Sequence, residues 1–244
     1  MEDLKVKIEA PNLMSFTFRG KLPEDFVVDS FPLLHDADLF YNRGDLESRL
    51  RPFDKSRIHP LSKFVMKLCN VKVLKISGAY FKILELAKVL PTCFPTFENL
   101  IHLEVYYICY LQMNTLLNFL EFSPNLESLV IGMVELSCHR DEEALTFNIV
   151  PRCLECLKSI EIQKFNGWPR EMKVVEFVLK HARSLQTLIL ETSYTAENYI
   201  DPKARHTRKN LKPKKVEALN KQIMMQLGMS PWASTGCVIK FSSS

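Results

Sequence analysis

A short pattern recurs along this chain: an apolar residue, two of any kind, an apolar residue, one of any kind, and a third apolar residue. It is read at Leu13-Phe16-Phe18, Leu34-Ala37-Leu39, Val71-Leu74-Ile76, Leu100-Leu103-Val105, Leu126-Leu129-Ile131, Leu157-Ile160-Ile162 and Leu185-Leu188-Leu190. The first residues of successive units are 21, 37, 29, 26, 31 and 28 positions apart, and four of these six gaps are close to the roughly 20–29 residues of leucine-rich repeats, the 21 and 37 around Leu34 fitting poorly. The last two apolar positions of each unit alternate, which is the period of a short strand with one face buried. The residue between them is polar at Lys75, Glu104 and Glu161, and Ile189 breaks that rule.

Helical spacing fills the intervals. Leu84, Ala87 and Lys88 belong to one helix that ends before Pro91, and Leu116, Leu117 and Leu120 to another that ends at Ser123-Pro124. The clearest runs from Arg170 to Ala182, where Val175, Val178, Leu179 and Ala182 keep the i, i+3, i+4, i+7 spacing of one helix face. A helix–loop–strand unit of this size cannot bury its apolar faces alone, so it stacks on its neighbours. The expected fold class is therefore α/β: an irregular leucine-rich-repeat solenoid of parallel strands with helices on the convex side. The eighth position after the leading residue, Asn or Cys in the usual repeat, is Lys21, Ala79, Ile108, Val134, Phe165 and Ser193 in six of the units. No asparagine ladder can form.

Composition narrows the class. A hydrophobic share of 47% with 25% charged residues is that of an ordinary globular chain, which argues against disorder. The longest apolar run, Val105 to Leu111, is far short of the ~20 residues that span a bilayer. The opening residues lack the apolar centre of a signal peptide, so a cytoplasmic or nuclear location is expected, with no membrane partner. Seven cysteines (Cys69, Cys93, Cys109, Cys138, Cys153, Cys156, Cys237) scattered through apolar segments read as reduced core thiols.

The net charge of +4 is local. Lys203, Arg205, Arg208, Lys209, Lys212, Lys214 and Lys215 lie in a stretch without acids, and setting these seven aside leaves −3 for the rest. This run holds Pro213 and follows Pro202, and it has no aromatic residue for base stacking. It reads as a solvated linker, and nucleic-acid binding is not expected. Beyond it Val216, Leu219, Ile223 and Leu227 make one helical stripe with Met224 beside it, a capping helix followed by a strand from Cys237 to Phe241.

Three constellations invite a catalytic or metal reading. Cys153 and Cys156, with Cys138-His139 upstream, offer four ligands, but zinc sites of this kind show two clean pairs. Asp141, Glu142 and Glu143 sit beside His139 and Arg140 in a segment between strands, where consecutive solvated charges lack the enclosed pocket that acid–base chemistry requires. The six histidines (His35, His59, His102, His139, His181, His206) are scattered singly, and no nucleophile elbow, phosphate-binding glycine loop or zinc-protease helix is present. The expectation is a binding protein without catalytic residues, metal or cofactor.

The stretch from Ile149 to Gly167 contains Pro151, Cys153, Leu154, Leu157, Phe165 and Gly167, and a helix then leads to Ala182 and Leu185. This order resembles the FBD domain of plant F-box proteins. The closing segment Pro231-Trp232-Ala233-Ser234-Thr235-Gly236-Cys237 to Phe241 is similar to the final strand of that family, with Trp232 where arginine is usual. The segments from Ala10 to Phe16 and from Ser123 to Leu129 are similar to its leucine-rich section. The resemblance implies a leucine-rich region over 1–148 and an FBD-type domain over 149–244, with a basic linker at about 202–215 and a capping helix and strand at 216–241.

It also implies a role. In that family an F-box docks on the Skp adaptor of a cullin-based ubiquitin ligase, while the repeats present a substrate protein. The Leu-Pro-Asp and Ser-x-Arg-Trp marks of an F-box do not occur in these 244 residues, so Skp binding is not expected of this chain. The first strand, Leu4-Val6-Ile8, starts without a polar cap. The expectation is a truncated product, a partial gene model or a divergent member that lost its F-box. Two other roles remain open: a fragment that competes with full-length relatives, and a nucleic-acid-associated protein acting through the basic segment.

Overall fold

The computed structural model describes residues 5–20, 25–28, 30–41, 55–90, 93–133, 147–192 and 213–243. In chain order its elements are β1 (Lys5–Ile8), β2 (Ser15–Gly20), β3 (Asp25–Val28), β4 (Asp36–Tyr41), α1 (Lys55–Met66), β5 (Val73–Ser77), α2 (Gly78–Ala87), β6 (His102–Ile108), α3 (Met113–Glu121), β7 (Ser128–Met133), β8 (Ser159–Phe165), α4 (Pro169–His181), β9 (Thr187–Thr192), α5 (Pro213–Gly228) and β10 (Val238–Ser243). Eight strands form one parallel sheet in the order β2-β4-β5-β6-β7-β8-β9-β10, with β1 and β3 paired apart from it.

The repeat pattern sets the register. Phe16, Ala37, Leu74, Leu103, Leu129, Ile160, Leu188 and Ile239 are successive partners across the sheet, and Phe18, Leu39, Ile76, Val105, Ile131, Ile162, Leu190 and Phe241 form the next row. From β4 to β9 both rows are buried in one core shared with all five helices. A slip of one residue would turn a whole strand's apolar set to solvent, and each buried Leu or Ile side chain holds about 1.5–3 kcal/mol against that.

Backbone bonds tie unit to unit where an asparagine ladder would otherwise run. The carbonyls of Met14, His35, Lys72, Ile101, Glu127 and Lys158 each accept two N–H groups from the start of the next strand, at 2.8 to 3.2 Å. The eighth repeat position is instead core: Ala79, Ile108 and Phe165 are buried, while Lys21, Val134 and Ser193 lie outside the described residues.

Three features depart from the repeat reading. The strand expected at Leu4 to Ile8 exists as β1, but it pairs with β3 rather than joining the main sheet. The wide interval between Leu34 and Val71 holds α1, whose Phe64 ring stacks on Phe26 of β3 at 3.8 Å. Pro60 lies inside α1 and removes one backbone donor. Lys67, just past the helix, donates to the Val28 carbonyl. The last strand is not an isolated closure but an eighth rung, pairing with β9 over Val238 to Ser243. No helix among the described residues is long and apolar enough to cross a membrane.

Candidate binding surface

The helices cover one face of the sheet, and no described helix or strand covers the other, whose side chains are half-buried or exposed. The side chains between the two core rows form a middle row on that open face: Thr17, Asp38, Lys75, Glu104, Val130, Glu161, Ile189 and Lys240. Beside it run Ser15, Asp36, Val73, His102, Ser128, Ser159, Thr187 and Val238. With strands about 4.8 Å apart, eight rungs present a platform about 34 Å wide.

The platform's charges are ordered. Arg19 meets Asp38 at 2.5 Å, and Lys75 meets Glu104 at 2.7 Å. The Gln163 amide donates to Glu161 at 3.0 Å. Pairs with one partner this exposed are screened by solvent, so they shape the surface more than they stabilise it. Burial lowers the pKa of His102 despite the nearby Glu104 carboxylate. Burial first, and Glu104 second, raise the Tyr106 hydroxyl.

At the C-terminal ends of β6 and β8 the ladder is interrupted between Val105 and Ile108 and between Ile162 and Phe165. The residues responsible, Tyr107 and Lys164, have φ of 54° and 57°, a left-handed conformation that costs a non-glycine residue about 1–2 kcal/mol. The surroundings hold the first of them. A Cβ on Gly78 would lie 2.5 Å from the Tyr107 carbonyl oxygen, so the bulge fits only against glycine. Gln112 donates to the Gly78 carbonyl at 3.0 Å and accepts the Cys109 N–H at 3.2 Å.

Between the bulges β7 carries Gly132, where a Cβ would meet the Val105 carbonyl at 3.2 Å. With no side chain in the way, Lys164 of β8 reaches over β7 and sets its Nζ 5.1 Å from the Tyr107 ring of β6. Phe40 meets Tyr106 and Tyr107 edge to face at 5.4 and 5.8 Å, and Arg19 covers Phe40 at 5.6 Å. The result is an aromatic patch with a cation on each side, of which the aromatic rings and Arg19 are residue types enriched at interface centres.

The other end is closed by a different device. Phe165 is buried, Gly167 takes φ of 76°, and a Cβ there would press on Ile223 of α5 at 3.0 Å. The buried Glu171 carboxylate accepts the N–H groups of Asn166 at 2.8 Å and Trp168 at 3.0 Å through one oxygen. Burial raises its pKa and these bonds oppose the rise. After α5, Trp232 donates to the Leu227 carbonyl at 2.9 Å and the Ser234 hydroxyl to Leu185 at 2.6 Å. The Phe-x-Gly and Pro-x-Ala-Ser stretches are therefore packing elements.

Among the described residues, those singled out for chemistry do not come together as a site. Cys153 is buried and its thiol is pushed up to about 12, mainly by burial, whereas Cys156 faces solvent. Cys93 is also exposed, so two of the expected core thiols are surface thiols. Among the described residues no three His, Cys, Asp or Glu side chains cluster as metal ligands. Cys138, His139, Arg140, Asp141, Glu142, Glu143, His206 and the basic run from Lys203 to Lys212 lie outside the described residues. Missed from sequence were the bulged Tyr107 and Lys164, whose only signal was the pair of glycines, Gly78 and Gly132, that accommodate them.

Residues 148–190 match the FBD family. The chain is 31% identical over 188 residues to an FBD-associated F-box protein of Arabidopsis thaliana, covering 76% of this chain and 39% of the relative. Two F-box/FBD/LRR-repeat proteins of the same plant match at 28% over 213 residues (84% and 45%) and 31% over 194 residues (76% and 40%). The chain thus spans about two fifths of the length of these relatives. No solved structure matches significantly. The buried Phe165 and the left-handed Gly167 lie in the segment that matches the FBD family, and the chain is similar to plant F-box/FBD/LRR-repeat proteins.

Proposed function

We propose that this chain is a leucine-rich solenoid that binds another protein on the open face of its sheet, as the substrate-recruiting part of an F-box-type ubiquitin-ligase receptor. The observation that carries the reading is the asymmetry of the sheet: one face is buried under five helices, and the other presents ordered rows of side chains. Parallel sheets are ordinarily covered on both faces, so an open one is a surface kept for a partner. The aromatic patch of Phe40, Tyr106 and Tyr107 is its anchor. The kinship with F-box/FBD/LRR-repeat proteins supports the ligase context. The chain acts by binding, not catalysis, in the cytosol or nucleus. Residues 1–148 supply most of the platform and 149–244 the FBD-type end, a division supported by the family match from residue 148. Without F-box marks, these 244 residues do not engage the Skp adaptor by themselves.

The test is affinity capture from plant extract with the chain and with a Val130→Arg/Ile189→Arg variant, identified by mass spectrometry. The reading expects a protein retained by the parent and lost from the variant, without Skp or cullin. A partner retained equally by both would overturn the open-face assignment, and stoichiometric Skp would overturn the claim of no adaptor contact.

A further inference from the structure

We propose that the cleft between α4 and the segment after α5 is a second docking site, which takes an acidic peptide by one aromatic side chain. This site is separate from the open face of the sheet. The cleft has a volume of about 330 Å³, at the bottom of the range for ligand pockets, so it takes a single side chain rather than a cofactor. Its floor is aromatic: Phe147 and Phe177 lie 4.3 Å apart, and the His181 ring lies 4.6 Å from Phe177. Both phenylalanines are only half-buried, which leaves ring surface that an incoming ring can cover.

The rim is basic. Lys173 and Lys180, seven residues apart on α4, stand on the same stripe as Phe177 and line the cleft. Both are exposed, and neither has a carboxylate partner among the described residues. The one acid in the lining, Glu176, is already engaged by the Gln226 amide at 3.3 Å. The His181 Nδ1 lies 2.8 Å from the Phe177 carbonyl, which leaves its Nε2 for a ligand. Two ammonium groups with no carboxylate partner among the described residues, flanking a half-buried aromatic floor, are complementary to a ring with carboxylates on either side. Met229, 82% exposed, directly precedes cleft-lining Ser230 and adds an adaptable apolar edge for the peptide backbone.

The test is fluorescence anisotropy with the full chain and a fluorescein-labelled pentapeptide carrying one phenylalanine between two acidic pairs. The parent should bind, and affinity should fall at least tenfold in Lys173→Glu/Lys180→Glu. It should be kept within threefold in Lys173→Arg/Lys180→Arg, and should fall when alanine replaces the peptide's ring. Both lysines are on the surface, and circular dichroism checks that the variants fold. Val130→Arg/Ile189→Arg should leave the affinity unchanged, which separates this site from the open face. Four results would overturn the proposal: no binding at millimolar peptide, equal binding by the charge-reversed variant, indifference to the ring, or binding only after Asp141, Glu142 and Glu143 are changed to alanine. The last would assign the cleft to the chain's own acids.

Discussion

Replacing Gly78 by alanine probes how the bulge on the open face is held. In most helices this change stabilises, because alanine loses less conformational freedom, by roughly 0.5–1 kcal/mol. Here the new Cβ would lie 2.5 Å from the Tyr107 carbonyl oxygen and 2.9 Å from the Ile108 Cα. Both atoms are backbone, so β6 and α2 must move apart. Overpacking of this kind costs about 1–3 kcal/mol, which less the gain leaves a net loss centred on about 1 kcal/mol. For a chain of this length that lowers Tm by roughly 2–4 °C. Gly228→Ala is the control, because nothing lies within 4 Å of its Cβ, and it should leave Tm unchanged or raise it by a few degrees. Calorimetry measures both. Hydrogen exchange at the Cys109 amide, which is bonded to Gln112, should accelerate in Gly78→Ala alone. A Gly78→Ala protein that melts with or above the parent, with Cys109 still protected, would refute the account of the bulge.

Glu171→Gln keeps an oxygen able to accept both loop N–H groups and should fold normally, whereas Glu171→Ala should lose about 1–3 kcal/mol in urea unfolding. Because burial raises this carboxyl above its ordinary 4.5, its contribution is largest below that pH and declines as pH rises through the raised value. The Gln variant should flatten that decline. Tyr80→Phe should be neutral or stabilising in thermal melts, since the buried hydroxyl has no partner among the described residues. In thiol labelling at pH 8, Cys93 and Cys156 should react first and Cys153 only on unfolding, as its burial and raised pKa require.

The rungs of the sheet were legible because they obey a period. Each Leu-x-x-Leu-x-Leu unit placed one strand and its inward pair, down to the residues that meet in register. α2, α3, α4 and α5 followed from helical spacing. α1 was hidden because Pro60 interrupts its pattern, although Leu61, Phe64, Val65 and Leu68 are all buried. β3 was hidden because its Phe26 and Val28 belong to no repeat and gain their burial from α1 and β2, contacts that local spacing cannot report. The open face was half legible. Polar residues between the core positions were visible, but Tyr107 and Lys164 were not, because a left-handed bulge is set by neighbouring strands. Glu171 likewise reads as a surface helix residue until the chain folds its loop around it.

The central claim is that the open face of the sheet, not the helical side, meets the partner. Site-specific photo-crosslinking tests it most directly, with benzoylphenylalanine placed in turn at Glu161 on the open face and at Lys82 on α2. The account predicts one crosslinked protein from position 161 and none from position 82. The same protein crosslinked from position 82, with none from 161, would contradict it.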